Sequence, residues 1–298
     1  MSFNFSIQTR RGGRKKNEDR ADHTQTENSA LFILADGMGG HPDGEIAAEI
    51  AIRTMIELFH KETKNFIVQD PVDFLQKGLR TAHHRIIRYG TEQGLLDVPR
   101  TTAVVCLLQN NMICWGNCGD SRLYLVRDFK LLAHTADHSI LKAEERKRAL
   151  EELPEELHEI GRNALYSCLG GLILPQIDVT GPMELSPDDR ILLCSDGLWS
   201  ALTQDKIVAI LSSNVETRII SNNLVESALA SAGKESDNVT AIVVEWMPAE
   251  NSERIRKSRA AADSEFENMF ADNEHLKTEI DSIESEMDAV IKRINDLD

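Results

Sequence analysis

Read as a pattern of apolar and polar positions, the chain alternates short apolar runs with longer stretches of helical spacing. Leu31 to Ala35 is an apolar run that ends on Asp36 and is followed by Gly37, Gly39 and Gly40. A run of this length bounded by glycine predicts a buried strand whose end delivers Asp36 to a defined point. Ile46, Ala47, Ile50, Ala51, Thr54 and Leu58 then recur at helical spacing, with Asp43 placed to cap their helix. A second helix is predicted over Asp73 to Tyr89, with Phe74, Leu75, Leu79, Ala82, Ile86 and Tyr89 on one side. His83 and His84 lie within it, and a histidine pair on a helix is given no role.

The middle of the chain is strand-like. Thr101 to Leu108 and Met112 to Trp115 flank Asn110 and Asn111, which predicts a hairpin. GNCGDSR then leads to Leu123–Val126, placing Asp120 beside glycine at a strand end, as Asp36 is. Arg122 reads as a surface residue without a catalytic role. Between Asp137 and Gly171 alternation gives way to charge, with Pro154 interrupting a helical pattern; a mobile insertion and a surface helical hairpin both fit. Strand signals return at Ile177–Val179 and Arg190–Cys194, and the latter run ends on Ser195, Asp196 and Gly197. Helices follow from about Thr203 and over Asn222 to Ala232. Asp237 then opens a final apolar strand, Val239–Trp246.

Beyond Pro248 the composition changes: the last fifty residues hold 14 acidic and 7 basic side chains and no Gly or Pro. Phe266, Met269, Asn273, Leu276, Ile280, Ile283, Met287, Val290, Ile294 and Leu297 alternate spacings of three and four, a heptad register. The expected organisation is a catalytic domain over 1–247, a linker over 248–264 and a coiled coil over 265–298. Asn273 is the polar a-position residue that favours two strands, so a parallel homodimer is expected. Pairing with another heptad-bearing chain, or a single amphipathic helix folded back on the domain, uses the same seam.

Charge narrows the function classes. Across 298 residues, 33 basic and 49 acidic side chains give a formal net charge of −16, which argues against a nucleic-acid or anionic-membrane binder and suits a protein that handles cations. The N-terminus lacks an apolar signal core and every apolar run is strand-sized, so a cytoplasmic protein with no membrane span is expected. The five cysteines lie mostly in apolar runs and form no CxxC pair, so they read as buried hydrophobes in a reducing compartment.

Six acidic residues remain as candidate chemistry: Glu18, Asp19, Asp36, Asp120, Asp196 and Asp237, each at or beside a strand boundary with Gly or Asn nearby. Oxygen donors without clustered His or Cys call for Mg²⁺ or Mn²⁺ in preference to zinc. Two such ions lower the pKa of a bridging water and stabilise in-line displacement at phosphorus, which makes a phosphate-ester hydrolase the natural reading. Arg14, three residues before Asn17, could set a guanidinium fork beside those carboxylates; a lone charged terminus would read as solvated.

These residues fall into five ordered motifs: RxxNED at Arg14–Asp19, DGMGGH at Asp36–His41, GNCGDSR at Gly116–Arg122, LLCSDGLW at Leu192–Trp199 and SDNVT at Ser236–Thr240. In order and spacing they resemble the metal-dependent type 2C Ser/Thr protein phosphatases, bacterial branch, from Met1 to about Trp246. The resemblance implies an α+β fold, a four-layer α-β-β-α sandwich of two antiparallel sheets flanked by helices, to which the coiled-coil helix is added. It also implies Asp36, Asp196 and Asp237 on a first metal, and Glu18, Asp36 and the Gly37 carbonyl on a second, with Asp36 bridging. Asp120 with Asp196 would serve a weaker third ion, Asp19 would hold a metal-bound water, and Arg14 would bind the substrate phosphate. The implied activity is hydrolysis of phosphoserine and phosphothreonine in protein substrates by a metal-bridging hydroxide, opposing a Ser/Thr kinase. Met38 follows the Asp-Gly pair where the eukaryotic branch has a histidine, so His41 is the candidate general acid. Arg100 stands where related bacterial sequences have Gly before the paired threonines. The competing class is a phosphatase-fold scaffold that assembles partners through its coiled coil.

Overall fold

The computed structural model describes residues 2–139, 165 and 167–247. The linker and heptad segments at 248–298, and most of the charged stretch after Asp137, lie outside the described residues.

The described residues form two five-stranded sheets with helices outside, and one separate two-stranded sheet. Phe3–Arg10 (β1), Asp19–Gln25 (β2) and Ser29–Asp36 (β3) open the chain. The helices Gly44–Glu62 (α1) and Pro71–Glu92 (α2) follow, with the short strands Thr63–Lys64 (β4) and Ile67–Val68 (β5) between them. Ala103–Gln109 (β6), Met112–Cys118 (β7), Arg122–Arg127 (β8) and Lys130–His134 (β9) make the middle of the chain. Asp178–Glu184 (β10), Arg190–Cys194 (β11) and Val239–Trp246 (β12) complete the sheets. One sheet runs β1-β12-β11-β8-β9 and the other β10-β7-β6-β3-β2, with every pairing antiparallel.

The period of two along each strand explains the layers. Phe32, Leu34, Val104 and Cys106 turn inward to meet Leu123, Leu193, Ile242 and Val244 of the other sheet, and all are fully buried. On the outer face of β3 and β6, Leu31, Ile33, Val105 and Leu107 pack against Ala47, Met55 and Phe59 of α1 and Leu75 and Leu79 of α2. Tyr124, Leu192, Ala241 and Val243 likewise back onto the helices Gln204–Leu211 and Thr217–Ala232. The architecture is the expected α-β-β-α sandwich. Strands covered on both faces read as unbroken apolar runs, which is why β3, β6 and β12 stand out in the sequence.

Several local expectations are corrected. Asp43 sits at the helix start with φ 55° and makes no capping bond; its Oδ2 accepts from Tyr89 Oη at 3.2 Å instead. The buried stripe of α1 keeps the expected Ala47, Ala51 and Thr54 and adds Ala48, Ile52, Met55 and Phe59, so that Ile50 and Leu58 are only partly covered. The strand expected over Met112 to Trp115 is longer, because β7 continues through Gly116 to Cys118. The N-terminal residues form a strand, with Phe3, Phe5 and Ile7 packing between the sheets and Phe3 in register with Trp246. The polar stretch around Asp19 is an edge strand, whose outer side needs no apolar residues. The Asn110–Asn111 hairpin is as expected, with both residues at positive φ (53° and 57°).

Candidate active site

The ends of β3, β7, β11 and β12 and the start of β2 bring the acidic residues to one edge of the sandwich. Arg14, Glu18, Asp36, Gly37, Met38, Thr102, Asp120, Asp196, Asp237 and Asn238 line an open basin there. Asp19 lies directly behind it, 3% exposed, and pairs across the β2–β3 ladder with Asp36.

The backbone around each carboxylate is tied down. Asp36 donates its N–H to Thr102 Oγ1 at 3.2 Å, and its carbonyl accepts from Thr101 Oγ1 and Thr102 N, both at 2.8 Å. Gly37 has no room for a side chain, since a Cβ would stand 2.5 Å from the Gly44 backbone; this close approach seats the loop on α1. Gly197 is equally constrained, its Cβ position lying 2.1 Å from Asn238 O, which draws Asp196 against Asp237. Trp199 Nε1 donates to Asp120 O at 2.8 Å, and the Trp199 ring carries the Arg122 guanidinium at 3.6 Å. Arg122 is in turn paired with Asp137 through two bonds of 2.8 and 2.7 Å. The residue set aside as a surface cation is therefore a strut behind Asp120.

Asn238 is the junction that local pattern did not reveal. Its Oδ1 accepts from Glu18 N at 2.8 Å, and its Nδ2 donates to Arg11 O at 2.8 Å and Lys16 O at 2.9 Å. One buried amide thus fastens the whole N-terminal loop carrying Arg14 and Glu18 to the start of β12. Its signal in the sequence is its place directly after Asp237 at a strand entry. Ser195 has a similar role deeper in the sandwich, donating to Asp19 Oδ2 at 2.8 Å and accepting from Thr240 N at 3.0 Å.

The electrostatics favour a cation. Burial pushes the Asp36 and Asp196 carboxyls well above the usual carboxylate range, and repulsion among Asp19, Asp36, Asp120, Asp196 and Asp237 adds to it. Asp19 is pushed up to about 6 by burial, against hydrogen bonds from Thr240 and Ser195 that favour its charged form. Arg14, whose Nη2 donates to Asp237 Oδ2 at 2.6 Å, is the only basic side chain lining the basin among the described residues. Among the described residues, Asp19 Oδ1 is buried with no hydrogen-bond partner. Among the described residues no three His, Cys, Asp or Glu form a compact cage by themselves. The carboxylates are spread around the basin wall, and a hard divalent cation shared between strand ends fits this donor set.

His41 is not brought to this basin. Its Nδ1 lies 2.6 Å from Asp97 Oδ2, while Arg100 Nη2 reaches Asp97 Oδ1 at 3.2 Å. Three residues past Met38, its ring pairs with a carboxylate on the connection between α2 and β6, and this placement does not support the expectation of a general acid at His41. His83 and His84 also stay outside, His83 buried against Gly170 N and His84 exposed.

Comparison with known proteins agrees with this geometry. Residues 9–227 match the family model described as Protein phosphatase 2C. A serine/threonine phosphatase stp from Listeria monocytogenes is 28% identical over 233 residues, covering 78% of this chain and 91% of the relative. The Mycobacterium tuberculosis serine/threonine phosphatase PstP/Ppp superposes with a TM-score of 0.65 at 29% identity, over 83% of this chain and 99% of the other. A crystal structure of the PstP catalytic domain in complex with two manganese ions matches equally, with a TM-score of 0.65 at 28% identity, over 83% of this chain and 99% of the other.

Proposed function

We propose that this chain, which belongs to the protein phosphatase 2C family, hydrolyses phosphoserine and phosphothreonine esters of proteins in this basin with Mn²⁺ or Mg²⁺. The observation that carries the reading is the convergence of Glu18, Asp36, Asp120, Asp196 and Asp237, from separate strand ends, around one basin with Arg14 at its edge. Bound there, divalent cations would supply Lewis-acid charge and an activated water for displacement at phosphorus.

The chain's own residues would do the rest. Asp36, Asp196 and Asp237, with Glu18 and the Gly37 carbonyl, are the proposed holders of the cations, and Asp120 is proposed for a weaker third ion. Arg14 would exchange its contact with Asp237 for the phosphate oxygens, where a planar guanidinium binds two at once. Asp19, behind Asp36 and tied to Ser195, would accept a hydrogen bond from water held at the basin floor. Strand ends and hydrogen-bonded loops fix these groups before substrate arrives, so little reorganisation is needed on binding.

The natural partners on this reading are phosphoproteins and the kinase that made them. The heptad register of 265–298 supports pairing of the tail, tested by light scattering on the whole chain and on a chain ending at Pro248; a monomer in both rejects it. Among the described residues no helix is long and apolar enough to cross a membrane.

The test of the activity is turnover of a phosphothreonine peptide and an aryl phosphate with Mn²⁺, with Mg²⁺ and with EDTA. Metal-dependent hydrolysis abolished by EDTA is expected. A folded protein that turns over neither substrate with either metal would reject the enzyme in favour of a binding module.

A further inference from the structure

The loop that carries Arg14 holds more positive charge than the basin uses. Arg11, Arg14, Lys15 and Lys16 stand between β1 and β2 in a chain of formal net charge −16. Arg14 is engaged by Asp237 at 2.6 Å and Lys16 by Glu45 at 2.7 Å. Arg11 and Lys15 are exposed, and among the described residues neither is paired with a carboxylate.

These two cations ride on a fixed loop. The Arg11 and Lys16 carbonyls both accept from Asn238, and Gly13 N donates to Ser236 O at 2.9 Å. Gly13 also lies against the backbone of Lys234, itself exposed, so a third cation flanks the same rim; Glu235 beside it is the acidic member. Residues one and three positions from Arg14 lie within roughly 4 and 11 Å of it along the chain. An extended peptide advances about 3.3 Å per residue, so side chains one to three positions from a phosphorylated residue bound at Arg14 sweep the same distance.

We propose that Arg11 and Lys15 form a specificity rim that selects phosphoprotein segments bearing acidic residues beside the phosphorylated one. This rests on the phosphatase reading above and adds a substrate class to it. An acidic segment is repelled by the protein as a whole, so local cations at the mouth decide whether it docks. The contribution belongs to exposed charges and is screened by salt.

The test compares two phosphothreonine peptides of equal length, flanked by Glu or by Gln, with an aryl phosphate that has no flanks. The full chain and an Arg11→Glu, Lys15→Glu double variant are assayed at low salt and at about 0.5 M salt. At low salt the parent should prefer the acidic peptide by about 3- to 10-fold in kcat/KM, the effect of two exposed ion pairs. The preference should vanish at high salt and reverse in the double variant, with aryl phosphate turnover unchanged. Equal rates on both peptides, or a preference that survives the double reversal, would overturn the rim. Failure to hydrolyse the aryl phosphate would instead reject the phosphatase reading. Fluorescence anisotropy of the labelled peptides then judges the rim without turnover, and equal Kd values for the two peptides would overturn it.

Discussion

Replacing Asn238 by alanine removes three hydrogen bonds of 2.8–2.9 Å, one from Glu18 N and two to the carbonyls of Arg11 and Lys16. Each such bond contributes about 0.5–1.5 kcal/mol net, and the partners left behind carry their desolvation cost, so the loss is about 2–4 kcal/mol. That loss is concentrated on one loop. Asn238 itself is 5% exposed and stands directly before β12, whose apolar core contacts are unchanged. The variant should therefore stay folded, with Tm lowered by about 5–10 °C in a circular-dichroism melt. A local loss of about 2 kcal/mol raises the open population of the loop up to about 30-fold. Glu18 and Arg14 are then no longer pre-positioned, and Mn²⁺ affinity measured by calorimetry should fall by about tenfold or more. Asn238→Asp keeps an acceptor for Glu18 N but loses both donors, and should fall between parent and alanine variant in Tm. A folded Asn238→Ala protein with parental Mn²⁺ affinity and parental kcat/KM on an aryl phosphate would refute this account of how the loop is held.

Four further outcomes follow from the same geometry. Asp36→Asn removes one of several mutually repelling, half-buried carboxylates, so its Tm in EDTA should be no lower than the parent's while aryl phosphate hydrolysis falls by about a hundredfold or more; near-parental turnover would reject Asp36 as a metal ligand. Ser195→Ala takes the 2.8 Å hydrogen bond from a fully buried Asp19 and should cost about 1–3 kcal/mol in a denaturant titration; an unchanged midpoint would show that Asp19 does not depend on it. Burial holds the Asp19, Asp36 and Asp196 carboxyls above their ordinary range, so the folded chain keeps these protons longer than the unfolded one. Their contribution to stability is thus present in acid and lost as pH climbs from about 4 through 6 and beyond. In EDTA, Tm should carry that loss, and Mn²⁺, competing with protons for the same oxygens, should raise Tm more at about pH 8 than at about pH 6; an equal rise at both would refute it. Trp199→Phe keeps a ring beneath Arg122 but loses the bond to Asp120 O, and should raise the metal concentration for half-activation by about tenfold; an unchanged activation curve would remove Trp199 from the support of Asp120.

The sequence by itself determined those features of this protein that are local. β3, β6, β11 and β12 are legible because strands covered on both faces need unbroken apolar runs. Aspartate followed by glycine or asparagine at their ends marks where the backbone turns and a charge can sit. From those residues alone came a hard-cation reading, and from the order of the five motifs a family. What only the tertiary structure decided is everything that depends on partners far apart in the chain. Asp19 meets Asp36 through antiparallel register, not through proximity in sequence. Asn238 reaches Glu18 across 220 positions and Ser195 reaches Asp19 across 176, so the local sequence names neither partner. Side-chain direction was equally out of reach: His41 is adjacent to the glycine loop after Asp36 in sequence yet turns to Asp97, and Arg122 turns inward onto Trp199. Periodicity reports which face of an element is apolar, whereas a polar side chain goes where a partner satisfies it, and that partner exists only once the sheets have paired.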